Sequence, residues 1–157
     1  MKRSILITLL LMLIASFSSF AQKACITEIF DINGLKIGSA VTDSIIKSKL
    51  GAPSRIDNEG RGEIFYYYGE TELCIMYGIL SSIIVFDNQF PVLTSIIEGG
   101  VRVGDNAEEV KAKIRQKTTG DIIETDKGFM VGTYDVHVSF DVSLRKITSI
   151  SYHLESY

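Results

Sequence analysis

Apolar and polar residues alternate along this chain with two periods, and each period predicts a different kind of element. In the second half, Val110 and Ile114 recur at the spacing of one helix face, after a candidate capping residue, Asp105, with Glu108 three positions later. The first half has the same parts. Its apolar stripe is Ile45, Ile46 and Leu50, its candidate cap is Thr42 or Ser39, and Gly51-Ala52-Pro53 ends the helix. Each half is therefore predicted to contain one short amphipathic helix.

Three strands are predicted to follow each helix, because short runs of β-branched and aromatic residues lie between turn residues. They cover residues 64–68, 71–77 and 81–87 in the first half and residues 129–133, 134–140 and 146–153 in the second. Polar connections, residues 54–62 and 118–128, separate each helix from its strands, and strand-like segments at 26–32 and 93–97 precede the helices. These elements predict an α+β chain with an antiparallel sheet.

The two halves match each other as tandem repeats. Residues 34–38 correspond to residues 100–104, and the strand at 73–77 recurs sixty-four positions later (73 + 64 = 137) at 137–141. We therefore divide the chain after its leader into a first repeat, residues 22–90, and a second, residues 91–157, within one compact domain. One repeat has little core of its own, so the two sheets are expected to join as one continuous curved antiparallel sheet with helices on one face.

The N-terminus has the pattern of a secretory signal peptide. Met1-Lys2-Arg3 is cationic, residues 5–15 are apolar apart from Thr8, and residues 15–21 are mostly small, which predicts cleavage after Ala21. As a helix the apolar run is about 16 Å long, too short to cross a bilayer, so no membrane span is expected after cleavage. We expect a periplasmic or secreted protein. A lipoprotein is disfavoured because Gln22-Lys23-Ala24, before Cys25, lacks the leucine-and-small-residue pattern of a lipid-attachment signal and has a charge where that signal is apolar.

The two cysteines, Cys25 and Cys74, both follow the predicted cleavage site. In an exported protein, two such thiols are expected to form a disulfide. The alternative is that Cys74 is a small core residue within an apolar strand and that Cys25 is a free thiol near the chain end.

The helix and strand markers resemble those of a known group of tandem-repeat domains. Ile37-Gly38, Leu50-Gly51-Ala52-Pro53 and Leu80-Ser81-Ser82-Ile83 in the first half, with Val103-Gly104 and Leu144-Arg145-Lys146-Ile147 in the second, resemble β-lactamase-inhibitor-protein-like (BLIP-like) domains and SmpA/OmlA-type outer-membrane assembly lipoproteins. The second half departs from the pattern because no Leu-Gly-x-Pro follows its helix. The resemblance implies helices on one side of a curved sheet whose concave side contacts proteins, and it implies no catalytic residues.

Composition and motifs offer little support for catalysis or for cofactors. The formal net charge is −3, and cleavage would remove two of the 16 basic residues and none of the 19 acidic ones, so nucleic acid is a poor partner. The histidines, His137 and His153, have no metal-ligand spacing and are expected to be strand surface residues. Asp57, Glu59, Glu63, Glu70 and Glu72 lack a calcium-loop spacing and are interpreted as a solvated acidic edge. We predict no enzyme activity, no cofactor and no metal.

A candidate binding surface comes from comparing the repeats. Val136, Val138 and Phe140 alternate with polar residues, as in a half-buried strand. Shifted back by sixty-four positions, this pattern predicts that Cys74 and Met76 are buried, and that Leu73, Ile75 and Tyr77 point outward. Tyr66 and Tyr68, or Tyr67, extend the patch depending on register. The alternative is that the N-terminal strand or a loop covers this face and makes it core.

These patterns lead to an expected function. We expect an exported, non-enzymatic protein-binding module, inhibitor-like or envelope-associated, that binds a protein partner through the open face of the sheet at Tyr66, Tyr68, Leu73, Ile75 and Tyr77. The alternative is a small exported ligand carrier or hydrolase with a pocket between the repeats.

Overall fold

The computed structural model describes residues 24–133 and 136–153, in which an eight-stranded antiparallel sheet is the main element. The predicted signal peptide, residues 1–21, lies outside the described residues. The helices are α1 (Ile26–Ile29), α2 (Asp43–Leu50) and α3 (Ala107–Lys117). The strands are β1 (Ala24–Cys25), β2 (Asp31–Ile32), β3 (Leu35–Lys36), β4 (Arg55–Gly60), β5 (Glu63–Tyr68), β6 (Thr71–Met76), β7 (Ile79–Val85), β8 (Thr118–Thr119), β9 (Ile122–Glu124), β10 (Gly128–Gly132), β11 (His137–Ser143) and β12 (Lys146–His153).

The large sheet has the order β4-β5-β6-β7-β12-β11-β10-β9, so strands from the two halves of the chain meet at its centre. At this seam Val85 lies opposite Ile150, and Ile83 lies opposite Tyr152. All four side chains are buried. The predicted α+β chain with an antiparallel sheet is confirmed at this level.

The sheet is wider than predicted because two polar connections contain edge strands. Residues 55–60, assigned to a connection because they are polar, form β4, and residues 122–124 form β9. Most of β4 is exposed, and Arg55, Asp57 and Glu59 lie in it. An edge strand that buries little surface needs no apolar alternation, so the hydrophobic pattern could not reveal it.

The two longer helices begin and end as short amphipathic helices should, with two differences from the expectation. Thr42 Oγ1 accepts a hydrogen bond from Ile45 N at 3.3 Å, and Gly51, at φ 85°, ends α2. Ile45, predicted to be buried, is 42% exposed. At α3 the cap is Asn106, whose Oδ1 accepts from Glu108 N at 3.0 Å, whereas the carboxylate of Asp105 accepts from Arg102 N at 2.9 Å.

Contacts of all three helices lie on the same side of the large sheet. The Tyr68 hydroxyl donates to Gly51 O at the end of α2, at 3.1 Å. From α3, Lys111 Nζ lies 5.0 Å from the centre of the Phe129 ring. Phe30, directly after α1, has its ring centre 5.6 Å from that of Tyr152. The hydrophobic core is therefore enclosed between this face of the sheet and the helices.

The segment that enters each longer helix makes the same backbone hydrogen bonds to the sheet. Gly38 N donates to Leu80 O, and Gly104 N donates to Ile147 O, both at 2.8 Å. Val41 N likewise donates to Gly78 O at 2.8 Å, as Ala107 N does to Arg145 O at 2.9 Å. Along β7 and β12 the matching positions are sixty-seven residues apart (147 − 80), not sixty-four.

Candidate interaction face

Four of the five residues predicted to bind a partner are in the core, which corrects that prediction. The relative exposures of Tyr66, Tyr68, Leu73 and Ile75 are 5%, 3%, 0% and 4%. They lie on the helix side of the sheet, where burial, followed by the charge of Asp43, raises the pKa of the Tyr66 phenol. Tyr77 is 78% exposed, but it lies in the turn between β6 and β7 and not within a strand.

The predicted faces were exchanged because the strands of the two halves are offset by an odd number of positions and not by the even number assumed. The register change between Cys74 and Ile75 matches the one between Asp141 and Val142, which again gives sixty-seven positions (141 − 74). The strand predicted at 134–140 accordingly lies at His137–Ser143, three residues later. Because side chains alternate between faces, an odd shift in place of an even one exchanges the two faces. Leu73 therefore corresponds to buried Phe140 and not to His137.

The opposite face of the sheet carries the alternate residues, and we call it the open face. Its residues are Phe65, Tyr67, Glu72, Cys74, Ile84 and Phe86 in the first half, and Met130, His137, Ser139, Asp141, Ser149 and Ser151 in the second. Most of these side chains are half-buried, and Phe86 is 53% exposed. Tyr67, the alternative in the sequence-based prediction, is on this face.

The two halves of the open face differ in chemistry. One cross-strand row runs Tyr67, Glu72, Ile84, Ser151, Ser139 and Met130. Aromatic, acidic and aliphatic groups therefore come from the first half, and small polar groups dominate the second. Sequence reasoning missed Phe65, Ile84 and Phe86, although two-residue alternation from Tyr67 and across the hairpin would have found them once the register was known.

Two cavities lie in the first half of the open face, one on each side of Glu72. The first, of about 430 Å³, is lined by Tyr67, Gly69, Glu70, Glu72 and Phe86. The second, of about 230 Å³, is lined by Glu63, Phe65, Glu72, Cys74, Met76, Ser81 and Ser82. Both open onto the same strand, β6, and Glu72 belongs to both.

Charge on this half of the open face is mostly negative. The Arg55 guanidinium lies 3.9 Å from the centre of the Tyr67 ring and 3.1 Å from the Asp57 carboxylate. No ion pair joins Glu63, Glu70 or Glu72 to a basic side chain within the described residues. Burial is the main cause that raises the pKa of the Cys74 thiol, and the charges of Glu63 and Glu72 add to it.

The predicted disulfide between Cys25 and Cys74 is not formed, since both cysteines are free. Cys25 lies on the helix side of the sheet, where its Sγ is 3.0 Å from Thr27 Oγ1. On the same side, burial, followed by the nearness of Cys25, raises the pKa of the Tyr152 phenol. Cys74 lines the open face. The sheet itself separates the two thiols, and disulfide geometry cannot bridge that separation. The alternative, with Cys74 as a small buried residue, fits the structure better.

A third cavity, of about 410 Å³, surrounds part of β11 in the second half. Thr125, Asp126, Lys127, His137, Ser139 and Asp141 are among its lining residues. The Nδ1 atom of His137 is buried and has no hydrogen-bond partner among the described residues. Asp141 accepts a hydrogen bond from Ser149 Oγ at 2.8 Å and lies four positions along the strand from His137, about 13 Å away. Among residues 24–133 and 136–153, no ion pair joins this imidazole to a carboxylate.

No group of three or more His, Cys, Asp and Glu side chains among residues 24–133 and 136–153 has the arrangement of a metal site. In the same part of the chain, no helix has both the length and the apolar character needed to cross a bilayer. The side chain of His153 lies outside the description.

Comparison with known proteins gives no family. No protein-family model and no curated protein match the chain. Among solved structures, the chain is similar to an extracellular protein containing a SCP domain from Bacillus anthracis str. Ames, with a TM-score of 0.49 and 12% identity over 87% of this chain and 48% of that one. The chain thus spans about half the length of that protein, and a likeness of this extent assigns neither fold family nor function.

Proposed function

We propose that this chain is an exported, non-enzymatic module that binds a protein partner through the open face of its sheet. The observation that carries the proposal is the outward position of Phe86, which is 53% exposed and shares a cavity with Tyr67 and Glu72. Phe65 and Ile84 extend this apolar surface across the neighbouring strands. Aromatic side chains contribute strongly to protein interfaces, and exposed apolar patches of this kind commonly mark interaction sites.

The proposal includes a duplicated architecture, with a first repeat in residues 22–90 and a second in residues 91–157. The matching hydrogen bonds of Gly38 and Gly104, and the symmetrical strand order, support a common origin of the halves. The resemblance to BLIP-like domains is part of the same proposal, because that group combines helices on one side of a curved sheet with protein binding on the other.

Export is the second part of the proposal and depends on the N-terminal sequence. The test is the mass and N-terminal sequence of the protein purified from the periplasm or medium of a producing cell. A chain that begins at Gln22, without lipid on Cys25, supports the proposal. An intact Met1 in the cytoplasm contradicts it.

A ligand carrier is the second candidate, favoured by the unpartnered Nδ1 of His137 at the 410 Å³ cavity. That cavity lies within the second half and not between the halves as first expected. A small-molecule ligand there would protect His137 from chemical modification and leave the first half of the open face unaffected.

Photo-crosslinking tests the protein-binding proposal. A benzophenone-bearing amino acid replaces Phe86 or Tyr67 in one set of variants and Ile45, exposed on α2, in the control. The proposal expects a protein adduct from the open-face positions and none from position 45. Adducts from position 45 alone, or no adduct at any position in exporting cells, would overturn it. An adduct of twice the chain's own mass would identify a second copy as the occupant.

A further inference from the structure

We propose that the first half of the open face recognises an extended, basic segment of the partner, with lysine or arginine side chains seated in a groove along β6. The inference rests on the proposed function and adds the chemistry of the partner. We call the groove the acidic groove and define it by Glu63, Phe65, Tyr67, Glu70, Glu72 and Phe86.

The shape of the acidic groove fits an extended chain. Its two cavities share Glu72, and together they follow β6 from the turn at Glu70 to Met76, opposite Glu63. The six residues of β6 span about 20 Å, which six residues of an extended partner would match. Glu72 and Glu63 lie about 13 Å apart along the strand direction, which corresponds to side chains at positions i and i+4 of that partner.

The walls of the acidic groove suit a cationic side chain. The Arg55 guanidinium lies 3.9 Å from the centre of the Tyr67 ring, so this surface already makes one cation–π contact. Phe86 lies beside Tyr67 and Glu72 in the larger cavity and is more than half exposed. Aromatic rings next to a carboxylate bind ammonium and guanidinium groups through both the ring face and the charge.

The charge of this region points to the same partner. The stretch of sequence between Arg61 and Arg102 contains no lysine, arginine or histidine. The same stretch contains Glu63, Glu70 and Glu72. Arg55, which lies over the Tyr67 ring, is paired with Asp57, and Arg61 is exposed in the turn before β5. Opposite charges favour association and choice of partner more than they favour affinity, and the effect decreases with salt.

Binding of synthetic peptides tests the inference directly. The probe is a fluorescent peptide with lysine at positions i and i+4, leucine at i+2 and serine elsewhere, and its control has glutamate in place of both lysines. The full chain should bind the lysine peptide at least about tenfold more tightly than the glutamate peptide, and added salt should weaken the binding. Equal binding of the two peptides, or no binding of the lysine peptide, would overturn the inference.

Matched variants locate the site. The double change Glu63→Gln and Glu72→Gln should weaken binding of the lysine peptide by about tenfold or more, since each removes an opposite charge without altering shape. Glu98→Gln, in the segment joining the halves, changes one charge outside the acidic groove and should leave the affinity unchanged. Unaltered binding by the double variant would place the site elsewhere. If crosslinks from Phe86 persist while the charge variants have no effect, the protein-binding proposal stands and the inference about basic segments fails.

Discussion

The Nζ atom of Lys111 in α3 lies 2.8 Å from Oε1 of Glu124 in β9, so one ion pair joins a helix to the edge of the sheet. Lys111 is mostly buried, donates also to Glu108 at 2.9 Å and lies over the Phe129 ring. Replacing Lys111 with alanine removes these interactions together with the packing of its aliphatic stem. We expect a loss of about 2 kcal/mol in the free energy of unfolding, measured by urea denaturation. The control, Lys111→Met, retains the stem and should lose less.

The ion pair between Lys111 and Glu108 predicts a pH dependence. Burial lowers the pKa of Lys111, but the hydrogen bonds and charges of Glu124 and Glu108 outweigh it and leave the pKa raised. The pKa of Glu108 is lowered, mainly because its carboxylate accepts a hydrogen bond from Lys111. The ionised Glu108 stabilises the fold above the pKa that it has in the unfolded chain, about 4.3. This stabilisation is lost as the pH falls through the lower pKa of Glu108 in the folded protein. The stabilisation from the charged Lys111 is lost only in strong alkali. The stability difference between the natural chain and Lys111→Met should therefore shrink below about pH 4. A difference that stays constant from pH 7 to pH 3 would contradict this role.

The assignment of the two sheet faces predicts unequal effects for two residues that were first placed on the same surface. Leu73 is fully buried, so Leu73→Ala should reduce the free energy of unfolding by about 2–5 kcal/mol. Tyr77→Ala, at an exposed turn, should cost less than about 1 kcal/mol. Thermal and urea unfolding of the two variants provide the measurement. Similar, small effects at both positions would mean that Leu73 does face solvent.

The free thiols predict how the protein reacts with alkylating agents. Because the thiolate is the reactive form, the raised pKa of Cys74 should slow its alkylation by iodoacetamide in the folded protein at pH 8. Unfolding in urea should increase the rate at Cys74 at least about tenfold, as followed by mass spectrometry of peptides. Protein purified without reductant should contain two titratable thiols. A mass two units lower, with no free thiol, would show that Cys25 and Cys74 do pair.

Gly128 allows β10 to approach β11 closely. A Cβ atom built on Gly128 would lie 2.1 Å from Phe140 O and 2.9 Å from Val142 N, both in the backbone of the neighbouring strand. Gly128→Ala should therefore destabilise the fold by about 2–4 kcal/mol, since main-chain atoms would have to move. Gly78→Ala is the control, because its Cβ would meet nothing within 4 Å and only its φ of 81° opposes the change. A smaller loss for Gly128→Ala than for Gly78→Ala would contradict the close approach.

Sequence reasoning identified the elements but not the faces of the sheet. Alternation and capping residues located both longer helices and the inner strands, since each buries one face and therefore has a clear period. The polar edge strand β4 has no such period and was missed. Finding the outward residues Tyr67 and Phe86 required the correct offset between the halves, which is sixty-seven positions and not sixty-four. Because side chains alternate, an error of three positions exchanges every side chain between the two faces. An offset of sixty-seven aligns the buried residues Leu73, Leu80 and Ile83 with the buried residues Phe140, Ile147 and Ile150, so the apolar pattern contains this register, although an offset of sixty-four also pairs apolar residues such as Leu80 and Leu144.

The seam between β7 and β12 also has a consequence for the newly made chain. Strand β7, Ile79–Val85, is rich in β-branched residues and gains its second neighbour only when β12, some sixty residues further on, has been synthesised. During that interval one complete side of β7 is available to any other extended polypeptide, which is the situation that leads to aggregation. Pairing across so long a separation in sequence is also slow. Biogenesis of this protein should therefore depend on holdase chaperones, and truncation before β12 should yield insoluble material.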